Sequence, residues 1–156
     1  MFVTFEGIDG SGKSTQARLL AEALRGAGHE VVLTREPGGS QGAEEIRRLV
    51  LEGATDRWSP MTELLLFTAA RRDHLERLIE PALARGAVVI CDRFADSTRM
   101  YQGMEREGGA NLRGLVDQLH KMVIPREPDL TMLIDIDPEL GLSRAKARAG
   151  TEERFE

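Results

Sequence analysis

"FVTFEGIDGSGKST", residues 2–15, decides the architecture of the chain. Phe2 to Phe5 read as a strand, and the glycine-rich run 7–12 breaks it. From residue 14 to 26 apolar side chains recur at helical spacing, with Ala17, Leu20, Ala21 and Leu24 on one face and Gly28 as the stop. Inside the turn, Gly7, four further residues, Gly12, Lys13 and Ser14 satisfy the pattern G-x-x-x-x-G-K-[ST]. Its glycines let backbone N–H groups turn inward around phosphate oxygens, and the helix start adds its positive dipole end. Gly7, Ile8, Asp9, Gly10, Ser11, Gly12, Lys13, Ser14 and Thr15 are therefore expected to cradle a nucleoside triphosphate. Lys13 reaches the outer phosphates and the Ser14 hydroxyl suits Mg²⁺.

Outward from this loop, strand-like and helical patterns alternate. "EVVLT" (30–34), "AVVICD" (87–92) and "DLTMLIDI" (129–136) read as three more strands. Helical patterns cover 43–52, 94–104, 111–123 and 138–148, and a long one over 60–85 is interrupted by Pro81. "REPGGSQG" (35–42) is a loop, and "MEREGGA" (104–110) a flexible turn. Continuous apolar strands alternating with helices imply an α/β fold whose central parallel sheet is flanked by helices on both faces. No repeat, low-complexity segment or linker divides the chain, so residues 1–156 are expected to form a single P-loop domain. The chain reaches "TEERFE" directly after a helix, so the fourth strand is expected at a sheet edge, with a C-terminal part absent.

Of 156 residues, 41% are hydrophobic, 30% charged and only 4% aromatic, a globular composition. No apolar run approaches the ~20 residues of a membrane span. No basic and apolar leader opens the chain, so a cytoplasmic location is expected. The net charge of −5 argues against polymeric nucleic acid as a partner. Cys91 has no partner for a disulfide and lies in an apolar run, as a buried structural thiol would. His29, His74 and His120 lack metal-ligand spacing, and neither they nor Trp58 receive a role.

The third strand ends in Asp92-Arg93. A GTPase would carry an N-K-x-D loop, but the chain's one asparagine, Asn111, is followed by Leu-Arg-Gly. A motor ATPase would tend to place two acids where Asp92 and Arg93 stand. Asp92, at the carboxyl end of a strand, suits a magnesium-bound water. Arg93 offers a planar fork that fits a phosphate oxygen pair. The pairing points to transfer between two phosphate-bearing ligands rather than hydrolysis. A kinase acting on another small acceptor and a P-loop switch stay open on these residues alone.

The segments "FEGIDGSGKSTQ" (5–16), "LTREPGGSQGAEEIR" (33–47), "LLLFTAARRDHL" (64–75), "VVICDRFADSTRMYQG" (88–103) and "DLTMLIDIDPELGLSRAKAR" (129–148) closely resemble bacterial thymidylate kinases. The resemblance implies transfer of the γ-phosphoryl of ATP to dTMP with Mg²⁺, a five-stranded parallel sheet and a homodimer. It implies that the last strand and helices of the family are missing here. It places Asp9 near the acceptor's sugar and phosphate, stacks Phe67 on thymine, and turns Arg71 toward base and phosphate, on the same helix face. Arg72 is expected in solvent or in an ion pair. Arg93 would hold the dTMP phosphate, while Thr98, Tyr101 and Gln102 surround thymine and deoxyribose and Glu36 and Pro37 add a wall. Tyr101 at the sugar would disfavour a 2′-hydroxyl. Metal contacts fall to Ser14 and Asp92. Eukaryotic-like members carry an arginine where this chain has Gly10, so a lid over 143–156 is expected to supply one, Arg148 first and Arg144 next. The catalytic set is then Asp9, Lys13, Arg93 and Arg148, with Arg144 at the ATP.

Overall fold

A computed structural model describes residues 1–54, 56–104 and 111–147. Four strands, β1 (Phe2–Glu6), β2 (Val31–Arg35), β3 (Val88–Asp92) and β4 (Leu130–Leu133), form one parallel sheet in the order β2-β3-β1-β4. The strands expected from sequence are all present. β4 is shorter than the apolar run that announced it, although the Ile134 N–H still donates to the Glu6 carbonyl.

β1 is buried along its whole length, and its alternation feeds two cores. Phe2 joins Leu75, Ile79, Val89, Phe94 and Ile124 on one face. Val3 and Phe5 join Ala17, Ala21, Val31 and Ile90 on the other. Full burial of each such large side chain stabilises the fold by roughly 1.5–3 kcal/mol. Phe2 and Phe94 meet edge to face at 5.1 Å between centroids, a favoured aromatic geometry. The face around Val3 and Phe5 is covered by α1 (Lys13–Gly26), whose small Ala17 and Ala21 allow close approach.

The face around Phe2 is covered by a long helical stretch. It consists of α3 (Pro60–His74), a wide π turn over Leu75–Ile79, and α4 (Glu80–Ala84). Before it comes α2 (Gln41–Leu51) and after β3 come α5 (Ala95–Tyr101) and α6 (Arg113–Val123). The interruption that the sequence pattern implied near Pro81 is present as this wide turn, which ends just before the proline. Pro81 itself lies in the first turn of α4, where a missing N–H is tolerated. The departure from α geometry is the turn before it, which contains Arg77, the residue four positions back from the proline.

Coverage on both faces holds for β1 and for the middle of β3 but fails at β4, all of whose residues are exposed. β4 is an edge strand, tied to β1 by Phe2 N–H donating to Asp129 Oδ2 at 2.6 Å and by the Thr4 and Thr131 hydroxyls 3.0 Å apart. The next helix, α7 (Pro138–Ala147), packs Gly141 against Ile8 and Asp9 of the glycine-rich loop.

Candidate active site

β1 and β3 are hydrogen-bonded neighbours, with Phe5 opposite Asp92. The turn after β1 and the turn after β3 therefore emerge side by side at the carboxyl ends of the strands, the edge where open α/β sheets hold ligands. A cleft of about 380 Å³ opens there.

Its floor on one side is the loop before α1. Gly12 takes φ 99°, a left-handed conformation that glycine adopts without penalty. Lys13 is buried, and its Nζ donates to the Ile8 carbonyl at 2.6 Å. Burial and then the neighbouring Arg93 charge bring its pKa down to about 8. The Ser14 hydroxyl donates to Asp92 Oδ2 in a short hydrogen bond. Asp92 Oδ1 is buried with no partner among the described residues. A buried carboxylate oxygen left without a donor is costly. A hard cation beside it would satisfy it, and the donor set, one carboxylate and one hydroxyl with room for water, fits Mg²⁺.

Arg93 joins the two halves of the cleft. Its backbone sits at φ 73°, so its guanidinium leaves the strand in a direction an extended residue would not give. Nη1 donates to the Gly7 carbonyl at 3.1 Å and to Ser97 Oγ at 2.9 Å, while Nη2 donates to Asp9 Oδ1 at 2.6 Å. The guanidinium also lies 5.2 Å from the centre of the Tyr101 ring, whose hydroxyl donates to Asp9 Oδ2 at 3.0 Å. Burial raises the Asp9 pKa, but the charge and hydrogen bonds of Arg93 outweigh it and hold the carboxyl below its usual range. Behind this group stands Glu6. It accepts from the Phe94 N–H at 2.7 Å and from Ser97 Oγ at 2.6 Å. Burial nonetheless raises its pKa.

The opposite wall comes from α3. Phe67 and Arg71, one turn apart, both line the cleft. Arg71 is almost fully buried and has its partners: Nε donates to Glu36 Oε2 at 2.6 Å, and Nη2 to the Phe94 carbonyl at 3.0 Å and Thr98 Oγ1 at 2.8 Å. A charge in such surroundings is tolerable only when paired this fully. Glu36 Oε1 accepts from His74 Nδ1 at 3.1 Å, and His74 Nε2 lies 2.8 Å from the Thr34 hydroxyl. Gln102 Nε2 donates to Glu63 Oε1 at 3.0 Å.

Of the residues expected from sequence, Asp9, Gly10, Gly12, Lys13, Ser14, Thr15, Glu36, Pro37, Phe67, Arg71, Asp92, Arg93, Thr98, Tyr101 and Gln102 all line this cleft. Gly7, Ile8 and Ser11 support it from behind through the contacts just given and a Ser11 N–H to Ile8 carbonyl bond. Arg144 is exposed on α7, its Cβ beside the space a side chain at position 10 would need. Arg148 and most of the expected lid lie outside the described residues, as does the turn at 105–110. Cys91 is fully buried, with burial pushing its thiol up. Arg72 pairs with Glu76 and donates to the Val123 carbonyl at 2.9 Å.

Sequence reasoning missed Glu6, Ser97, His74 and Glu63, polar groups that act by holding the residues it did find. A glutamate and a histidine in the apolar helical pattern of 60–85 were the available signal. Glu36, His74 and Cys91 bring ligand atoms within 4.8 Å of one another. Glu36 is already committed to Arg71, so this trio braces the wall rather than offering a free cation site.

A family model described as thymidylate kinase matches residues 5–156. The chain is similar to the thymidylate kinases of Ruegeria pomeroyi, 79% identical over 100% of this chain and 72% of that protein, and Dinoroseobacter shibae, 70% identical over 99% and 73%. Its fold matches the crystal structure of thymidylate kinase from Ehrlichia chaffeensis with a TM-score of 0.78 at 46% identity, covering 94% of this chain and 82% of that one.

Proposed function

The chain belongs to the thymidylate kinase family and transfers the γ-phosphoryl of ATP to dTMP, giving dTDP and ADP; we propose that the cleft between β1, β3 and α3 holds both nucleotides at once. The observation that carries this reading is the position of Arg93. It bonds the Gly7 carbonyl of the phosphate loop and, through Ser97, the segment that leads to Thr98, Tyr101 and Gln102. ATP phosphates lie on residues 7–15, with Lys13 on the outer oxygens. The dTMP phosphate lies on Arg93 and its base between Phe67 and the 98–102 segment.

An acceptor phosphate oxygen of dTMP attacks the γ-phosphorus in line, and the chain contributes position and charge rather than covalent chemistry. Arg93 is held by three acceptors before any substrate arrives, so it has little reorganisation to undergo. Asp9, ionised, aims that guanidinium and binds the Tyr101 hydroxyl, which sets the ring as a wall at the sugar. Ser14 Oγ and Asp92 Oδ1 are the atoms that would hold Mg²⁺. Bound there, the ion neutralises charge on the phosphate oxygens. The remaining positive charge falls to Arg148 or Arg144. The same reading makes the chain a cytoplasmic homodimer, which sedimentation of the purified protein tests.

The deciding experiment is steady-state turnover with ATP against dTMP, dUMP, UMP, CMP and AMP. dTMP should be the best acceptor, and Asp92→Asn should raise the Mg²⁺ concentration needed by about tenfold. ATP consumption indifferent to the acceptor, or a better rate with another monophosphate, overturns the reading.

A further inference from the structure

Glu63 is a glutamate with only 1% of its surface exposed, placed on α3 beneath the acceptor wall. Its Oε1 receives Gln102 Nε2 at 3.0 Å. We propose that Glu63 is a specificity-determining positioning residue: it fixes the orientation of the Gln102 amide so that the cleft accepts pyrimidines bearing an N3–H. The proposal rests on the acceptor site described above.

The argument follows from donor and acceptor inventories. Glu63 Oε1 accepts from the Gln102 amide, and an amide has one donating and one accepting end. With Glu63 on one side, the NH₂ end of Gln102 faces it. Gln102 lines the cleft, and no described residue donates to its Oε1. The amide therefore offers an acceptor to whatever base lies there. Thymine and uracil carry a hydrogen on N3 and match it. Cytosine presents a lone pair at N3, and two acceptors face to face leave a buried group without a partner. A neutral amide at position 63 could donate as well as accept, so Gln102 could turn over and the preference would relax. Gln102 is held at its base as well, by its backbone N–H to the Thr98 carbonyl at 3.0 Å, so the free variable is the amide's rotation.

The test is Glu63→Gln, close in shape to the native residue, with dTMP and dCMP as acceptors and ATP as donor. The ratio of kcat/KM for dTMP over dCMP should fall by about tenfold, with the loss expressed mainly in KM of the acceptor. In a Gln102→Ala background the same substitution should leave the ratio where Gln102→Ala alone puts it. General damage to the helix would lower both acceptors together and leave the ratio unchanged, and that result overturns the proposal. So does a further change of ratio in the Gln102→Ala background. If Glu63→Gln does not fold, the native protein still decides: dTMP methylated at N3 should bind about tenfold more weakly than dTMP, a difference Gln102→Ala should erase. Equal binding of the two by the native protein overturns the proposal. Failure of the native protein to phosphorylate dTMP at all would instead remove the acceptor-site reading on which it stands.

Discussion

Arg93 and Asp9 meet at 2.6 Å between Nη2 and Oδ1, although 84 positions separate them in the chain. The pair closes the gap between the turn after β1 and the turn after β3. It also holds Asp9 ionised and the guanidinium aimed across the cleft, so one ion pair joins the two sides of the cleft.

Arg93→Ala should remove most dTMP-dependent turnover, by about 10³-fold or more. Binding of a non-hydrolysable ATP analogue should change little. Loss of both in equal measure would make Arg93 a structural residue only. The backbone adds a second expectation. At φ 73° an alanine is strained and a glycine is not. Arg93→Gly should thus be more stable than Arg93→Ala by about 1 kcal/mol in urea unfolding, though both lack the guanidinium. Equal midpoints would contradict the strain.

Lys13 gives the cleft a pH dependence of two opposite signs. Its pKa is lowered from 10.5 to about 8, by burial first and then by Arg93. Between those values the unfolded chain keeps a proton that the folded loop has released. The contribution of this group to stability therefore rises with pH across that window, and below about pH 8 the cost of the buried ammonium is fully present. On the proposed reading, phosphate binding needs the ammonium. Affinity for an ATP analogue should fall above about pH 8, approaching tenfold per unit for a single titrating group. Calorimetric titrations from about pH 7 to 9.5, compared with Lys13→Met, read this out. A flat affinity profile in the native protein would show that Lys13 stays charged.

Gly10 and Gly12 both have positive φ, 77° and 99°, but their surroundings differ. A Cβ at Gly12 meets nothing within 4 Å, whereas one at Gly10 would overlap the Gly141 carbonyl of α7. Both alanine substitutions incur the left-handed cost of about 1–2 kcal/mol. Gly10→Ala should lose about a further 1 kcal/mol or more, the typical cost of overpacking. Urea unfolding without nucleotide makes the comparison, and equal losses would mean that α7 yields freely.

The elements that place the site were legible because they rest on local signals. A glycine turn between an apolar strand and an amphipathic helix has few alternatives, and Asp92-Arg93 follows a run too apolar to be anything but a strand. The braces were not legible. Glu6, Ser97, His74 and Glu63 look like ordinary polar residues until strand order brings position 6 beside 97 and position 63 beside 102. Their partners lie 91 and 39 positions away, beyond the reach of any periodicity. The interruption near Pro81 was legible but its form was not: only the fold shows that it is a wide turn over the residues just before the proline.

The direct pairing of β1 with β3 has a consequence for tolerance to change. The lateral offset between the two loops is inherited from the interstrand repeat of the sheet, about 4.8 Å, not from the length of any connection. Lengthening a surface connection would leave the reaction distance alone. A shift of β3 by a single position along β1 would carry Arg93 about 3.3 Å along the strand and turn it to the other side of the sheet. The molecule's calibration thus resides in its most deeply buried hydrogen-bond ladder, the part of the backbone that thermal motion disturbs last.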